Sequence, residues 1–151
     1  MKPKALRRLP TFVPVPVRAR SDGWTPERQA AFLGLLAETG SVRAAAERLG
    51  MARETAYRLR TKPHAESFIA AWDAILCALQ GGPLFEPRKV TLHELEQRAL
   101  FGHLRPLMWR GKFVSVLQQA EPTAFYRWYR RRFAWARGRR VMRVSASGDV
   151  M

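Results

Sequence analysis

The stretch VRAAAERLGMARETAYRL, residues 42–59, decides the fold predicted for this chain. Ala46 is followed four positions later by Gly50, a spacing typical of two short helices that cross at a steep angle. The small side chain of Ala46 lets the helices approach, and Gly50 tolerates the positive φ that the turn needs. Apolar residues stand where side chains fill the wedge between the helices: Ala45, Leu49, Met51, Ala56 and Leu59. The pattern therefore predicts a helix-turn-helix with helices over 42–49 and 52–60.

Polar residues of the second predicted helix face away from this core, toward the position of the DNA major groove in a helix-turn-helix. The outward residues are Ala52, Arg53, Glu54, Thr55, Tyr57 and Arg58. Arginine can read guanine or hold phosphate, glutamate can accept from cytosine, and threonine can contact a thymine methyl or a phosphate. We expect Tyr57 to touch the DNA backbone. Three further candidate DNA contacts are Arg43 on the preceding helix, Arg60 at the end of this helix and Lys62 just after it. A three-helix cluster with a structural or protein-binding role is the alternative interpretation.

Further helix signals surround the motif. Thr25 followed by Pro26 and Glu27 is an N-cap sequence that predicts a helix over 26–38. Apolar residues at three-and-four spacing predict additional helices over 65–79, 91–101 and 123–137. Gly111 lies within apolar residues that predict a small β-hairpin near 107–116. The expected fold class is mainly α, with a three-helix core that contains the helix-turn-helix, extended by further helices and one small hairpin.

The composition divides the chain into four expected segments. These are a flexible basic arm over 1–22, the helix-turn-helix domain over 23–80, a helical extension over 81–137 and a disordered tail over 138–151. The arm alternates basic residues with prolines, which remove amide donors and fix φ, so an extended conformation is expected there. If the arm enters the minor groove, Arg18 and Arg20 are its expected contacts.

The net charge of +15 indicates a polyanionic partner. Most of it is terminal, because residues 1–22 carry +5 and residues 121–151 carry +6. Arginine outnumbers lysine 22 to 5, and its planar fork suits phosphate and guanine edges. A GC-rich genome is the alternative source of this ratio, although it explains the net charge less well.

The last predicted helix combines aromatic residues with arginines. Phe125, Tyr129 and Phe133 recur at every fourth position, which favours a stripe that faces the core. The alternatives are that the rings stack on unpaired bases or that the helix lies on an anionic membrane. Arg130, Arg131 and Arg132 span much of the helix circumference, so some of them are expected to stay solvated and to grip phosphates, with Arg130 and Arg131 as the candidate contacts.

Enzymatic activity is not expected from this sequence. His64, His93 and His103 lack the spacing of metal ligands, and the lone Cys77 has no nearby histidine. Glycine loops for phosphates and nucleophile elbows are absent from the sequence. We therefore predict no cofactor, no metal and no small-molecule substrate. Without a membrane-spanning apolar run or a signal core, a cytoplasmic, nucleoid-associated protein is expected.

The motif region resembles small helix-turn-helix proteins of alphaproteobacteria, which are similar to the homeodomain-like N-terminal domains of phage terminase small subunits. The resemblance covers residues 23–80 and extends more loosely to 98–102 and 109–112. The matching residues are Gly23 to Arg28, Gly40 to Ala46, Gly50 to Arg60, Phe68 and Ala71-Trp72-Asp73. It implies a cytoplasmic DNA-binding protein and suggests a mobile-element origin, but the sequence departs from the pattern after Phe113.

We therefore expect a sequence-specific protein that binds double-stranded DNA, acts as a transcriptional regulator and reads the major groove with helix 52–60. A single helix-turn-helix usually needs a second copy for specificity, which favours a homodimer or a higher homo-oligomer. One alternative is a packaging protein, similar to a terminase small subunit, that recognises phage DNA. Another is a nucleic-acid-binding protein without sequence specificity.

Overall fold

The computed structural model describes residues 8–18, 20–84 and 88–134. In these residues the chain forms five helices, then a two-stranded antiparallel hairpin and then a final helix. The elements are α1 (Pro26–Thr39), α2 (Val42–Arg48), α3 (Arg53–Arg60), α4 (Glu66–Leu79), α5 (Leu92–Phe101), β1 (His103–Trp109), β2 (Lys112–Gln119) and α6 (Pro122–Arg132). A mainly helical fold with one small hairpin is thereby confirmed. The expected tail over 138–151 lies outside the described residues.

Local signals fix where the helices begin. Thr25 caps α1 by accepting a hydrogen bond from the backbone N–H of Arg28 at 3.3 Å. Ser41 caps α2 and Thr91 caps α5 in the same way. The first backbone N–H groups of a helix have no carbonyl partner within the helix, and these hydroxyls accept hydrogen bonds from them. The start of each of these helices was therefore predictable within a residue.

The connection between α2 and α3 is a Schellman motif. Gly50 has a φ of 70°. The N–H of Gly50 donates to the carbonyl of Glu47 at 3.0 Å, and the N–H of Met51 donates to the carbonyl of Ala46 at 2.9 Å. These bonds satisfy the last carbonyls of α2, and they require the left-handed conformation that glycine adopts at little cost. Gly50 therefore turns the chain sharply into α3.

Aromatic rings join α1 to α4 in the centre of the core. The ring of Phe32 lies 4.9 Å from that of Trp72 and 6.3 Å from that of Phe68. All three side chains are buried. Such tilted and edge-to-face contacts add to the free energy gained by burying the rings. The cluster holds α4 against α1 and completes the core on which α3 rests.

The segment expected to be a flexible arm is packed into the core over residues 9–17, so that expectation was wrong there. Its buried residues are Leu9, Pro10, Phe12, Val13 and Val15. The N–H of Phe12 donates to the carbonyl of Leu104 at 2.9 Å, and the N–H of Val13 donates to Ser67 Oγ at 2.8 Å. The prolines remove donors that would otherwise need partners, so an extended chain can be buried without a regular ladder.

The expected core-facing stripe of the last helix was also wrong. Phe125 is 52% exposed, Tyr129 49% and Phe133 37%, whereas Ala124 is fully buried. Helix α6 packs on α5, and the stripe lies about 100–180° around the helix from Ala124. The face that packs is therefore the one with Ala124 and the half-buried Trp128, and not the aromatic stripe.

The hairpin is longer than the predicted 107–116 and packs on α1. Its two-residue turn is Arg110-Gly111, and one residue of β2 is extra at a bulge beside Leu107 and Met108. Within the part of the chain that is described, the helices are all too short or too polar to cross a membrane.

Candidate nucleic-acid interface

Helix α3 has one buried side and one exposed side. Ala56 and Leu59 are buried at 0% and 1% exposure and anchor the helix. The opposite side exposes four polar residues: Arg53, Glu54, Tyr57 and Arg58. Side chains three or four residues apart share one face of a helix, which explains this separation. The result is a short helix that presents hydrogen-bonding groups from a rigid base.

Arg43 on α2 lies beside the first turn of α3. A concavity of about 320 Å³ is lined by Arg43, Glu47, Met51, Ala52, Arg53 and Glu54. Arg43 pairs with Glu47 at 3.0 Å, and Arg53 pairs with Glu54 at 3.7 Å. Exposed pairs of this kind contribute about 0–1 kcal/mol each, so a phosphate can displace the carboxylates at small cost. The fold thus brings together three predicted site residues from two helices.

Arg58 and Arg60 have different environments although both were expected to face outward. Arg60 makes two hydrogen bonds to Asp73 of α4, at 2.9 and 3.4 Å, and its guanidinium lies 4.8 Å from the centre of the Trp72 ring. It therefore fastens α3 to α4. Arg58 is exposed and makes no ion pair with any residue in the described ranges. Of the two, Arg58 is the one available to a ligand.

The other predicted contacts near α3 differ in exposure. The ring of Tyr57 lies 5.6 Å from that of Trp72, and the residue remains 48% exposed. Thr55 is half-buried, and its hydroxyl donates to the carbonyl of Ala52 at 2.6 Å, which leaves the oxygen able to accept. Lys62 is exposed just after the helix. A ligand lying along α3 would meet Tyr57 and Lys62 before it met Thr55.

The predicted contacts at the two ends of the chain lie outside the α2–α3 pair. Arg18 and Arg20 are exposed, and Arg20 lies 3.7 Å from Asp22. Arg130 is exposed on α6, and Arg131 donates to the backbone carbonyl of Val90. Arg131 therefore helps to hold α6 in place.

Glu38 connects the hairpin to the helices, and the sequence contains no signal for this contact. Glu38 accepts from the backbone N–H of Phe113 at 3.0 Å and from Arg48 Nη1 at 2.8 Å. Partial burial raises the pKa of Glu38, but the hydrogen bonds from Arg48 and Phe113 outweigh it and leave the pKa lowered. Because Glu38 and Phe113 are 75 residues apart, local patterns could not reveal the pairing.

The histidines show no metal site. The rings of His64 and His93 stack at 3.7 Å, and His103 Nδ1 lies 3.1 Å from Glu121. Among the described residues, no group of three histidine, cysteine, aspartate or glutamate side chains could hold a metal ion.

Comparison with protein-family models, with curated proteins and with solved structures returned no match.

Proposed function

We propose that this protein binds double-stranded DNA sequence-specifically, with α2 and α3 acting as a helix-turn-helix, and that it regulates transcription. The observation that carries the proposal is the two-sided character of α3. Ala56 and Leu59 fix the helix to the core, while Arg53, Glu54 and Arg58 extend from its outer side. This division between anchor and contact residues is what a recognition helix requires.

The dimensions of α3 suit the major groove. An α-helix with its side chains is about 10–12 Å across, and the groove is about 12 Å wide. The eight residues of α3 form about two turns that can lie in it. Arg53 and Glu54 in the first turn would meet base edges, where arginine reads guanine and glutamate accepts from cytosine. Arg43 on α2 would hold a phosphate beside them. Arg58, one turn further along, would contact a second base or a phosphate.

The overall charge supplies attraction that does not depend on sequence. A net charge of +15 draws the protein to DNA and releases counterions on binding. Arg18, Arg20, Arg130 and Arg131 would contribute at the ends of the chain. These contacts raise the affinity for all DNA, so specificity has to come from α3.

The test is selection of sheared genomic DNA on the full chain at about 150 mM salt, which weakens electrostatic binding, followed by sequencing. Enrichment of a shared motif upstream of genes is the expected result. Enrichment confined to a prophage locus would favour DNA packaging over regulation. Recovery of fragments in the same proportions as the input would overturn sequence-specific binding.

The selected site then allows α3 to be tested directly. Arg58→Ala should weaken binding to that site by about 1–3 kcal/mol, because one arginine contact to a base is lost. Lys89→Ala is the control, since Lys89 is exposed before α5 and its loss removes the same charge. Equal losses in the two variants would show that Arg58 acts only through its charge.

A further inference from the structure

An exposed row of aromatic rings, here called the aromatic strip, is formed by Phe125 and Tyr129 of α6 and by Phe133, which directly follows the helix. The three residues are 52%, 49% and 37% exposed. Soluble proteins seldom leave several large rings together in water unless the surface binds something. Because Ala124 and not the strip packs on α5, the fold leaves these rings without a covering element among the described residues.

The rings of the strip are already ordered relative to one another. Phe125 and Tyr129 are 6.2 Å apart with their planes inclined at 27°, and Tyr129 and Phe133 are 4.8 Å apart at 47°. The row extends over about 12 Å of helix. A ligand that uses these rings therefore loses little free energy in ordering them.

The surroundings of the strip are strongly positive. The sequence of α6, PTAFYRWYRRR, contains four arginines and no acidic residue. Arg127 lies 3.3 Å from Glu121 at the start of the helix, and Arg131 holds the helix to the carbonyl of Val90. Arg130 and Arg132 are exposed on the same helix. The ligand must therefore offer negative charge together with flat apolar surfaces.

We propose that the aromatic strip and its arginines bind single-stranded DNA. Unpaired bases supply flat faces that stack on rings, and the phosphates supply the charge that the arginines need. A second copy of this chain is the less favourable occupant, because it would bring α6 arginines against α6 arginines. Duplex DNA is also less favourable, because its base faces are covered by their neighbours. The proposal stands on α6 alone and does not depend on the function proposed for α3.

The experiment measures the binding of a fluorescein-labelled 12-mer of thymidine to the full chain at about 150 mM salt, by fluorescence anisotropy. In the variant F125L/Y129L the leucines keep apolar side chains but remove the ring faces. We expect its affinity to fall at least tenfold, since stacking is worth about 1–3 kcal/mol per base. The variant W109L is the control, because it removes an exposed ring from the hairpin without a change of charge, and we expect it to bind the 12-mer as the unaltered chain does.

Folding of the variants is checked by thermal unfolding, which should change little because both substituted residues are exposed. An affinity of F125L/Y129L equal to that of the unaltered chain would overturn the proposal. A 12-base-pair duplex that competed as well as the unlabelled single-stranded 12-mer would also overturn the proposal, because α6 would then contact only phosphates. A uridine 12-mer that bound tenfold more tightly would assign the strip to RNA. Binding to vesicles of phosphatidylserine and phosphatidylcholine, with no binding of the 12-mer, would assign it to a membrane.

Discussion

Gly34 lies in the middle of α1, where glycine lowers the stability of a helix. The reason is the ring of Phe113, because a Cβ on Gly34 would lie 2.2 Å from Phe113 Cδ2. The absence of a side chain lets β2 rest directly on α1. A residue that is unfavourable for its own helix is thus explained by a partner 79 positions away in the sequence.

Gly34→Ala should therefore destabilise the protein by about 1–3 kcal/mol, although alanine is the better helix former, because the added methyl group overpacks the contact. Urea unfolding measures the change. When Phe113 is already replaced by alanine, Gly34→Ala should lower the free energy of unfolding by less than it does in the unaltered chain. If G34A were more stable than the unaltered chain, the close contact with Phe113 would not control this position.

Glu94 is buried beside two arginines, and this makes the stability depend on pH. Its carboxylate accepts from Arg88 at 2.5 Å and from Arg98 at 2.7 Å. Burial raises the pKa of Glu94, but the hydrogen bonds and charges of Arg88 and Arg98 outweigh this effect and leave the pKa lowered. The ion pairs therefore stabilise the fold fully above the ordinary glutamate pKa, and this contribution is lost as the pH falls through the lowered value.

We expect the free energy of unfolding to decrease as the pH falls below about 4.5, and Glu94→Gln should decrease it at pH 7 while flattening the acid dependence. Urea titrations between pH 7 and pH 3 test both effects. Glu96→Gln is the control, because Glu96 is exposed on the same helix. If the free energy of unfolding of E94Q fell with pH in parallel with that of the unaltered chain, Glu94 would not cause the acid dependence.

At the scale of elements, one glutamine fixes the N-terminal segment to α1. Gln29 is fully buried and accepts from the N–H of Val15 at 2.7 Å. Its amide nitrogen donates to the carbonyls of Val15 and Trp24, both at 3.0 Å. Buried backbone groups need partners, and here a side chain supplies what a neighbouring strand would supply in a sheet.

Gln29→Leu keeps a similar side-chain volume but removes these partners from the N–H and carbonyl of Val15 and from the carbonyl of Trp24. We expect the free energy of unfolding to fall by at least about 3 kcal/mol, from one unsatisfied donor and two unsatisfied acceptors. Amide exchange at Val15 should accelerate as well. Gln119→Leu, at an exposed position of β2, provides the comparison. Val15 exchange as slow as in the unaltered chain would mean that Gln29 does not hold the segment.

At the scale of the whole molecule, the proposed DNA-binding region does not have a core of its own. Leu9, Phe12 and Val15 belong to the same buried cluster as Phe32 and Trp72. Leu104 at the start of the hairpin belongs to it too, through its hydrogen bonds with Phe12. Segments distant in the sequence therefore stabilise the surface that α3 presents.

Removal of residues 1–17 should consequently destabilise all of the fold and not only detach an arm. The truncated chain loses the buried side chains of Leu9, Phe12, Val13 and Val15, each worth about 1.5–3 kcal/mol, as well as that of Pro10. We expect a lower thermal midpoint and weaker binding to the DNA site, measured by circular dichroism and by anisotropy. Full stability in the truncated chain would show that the rest of the chain folds without the N-terminal segment.

The sequence by itself determined the mainly helical class of the fold, the hairpin about Gly111 and most helices near their actual limits. The last helix is an exception, because it was predicted to end at 137 and α6 ends at Arg132. These features depend on neighbouring residues, such as the caps at Thr25, Ser41 and Thr91, and on the repeat of apolar positions. The buried sides of α3 followed from the same repeat. The DNA-reading role of its outer side is still a prediction.

Only the tertiary structure decided which surfaces are covered. The N-terminal segment is buried because Gln29, Ser67 and Leu104 satisfy its backbone, and these partners are 14, 54 and 92 residues away from their contacts. The stripe of α6 is exposed because the helix packs on α5 with the face of Ala124 and Trp128 instead. Local periodicity identifies an apolar face, but the free energy that selects the buried face depends on the shape and hydrogen bonds of a distant partner.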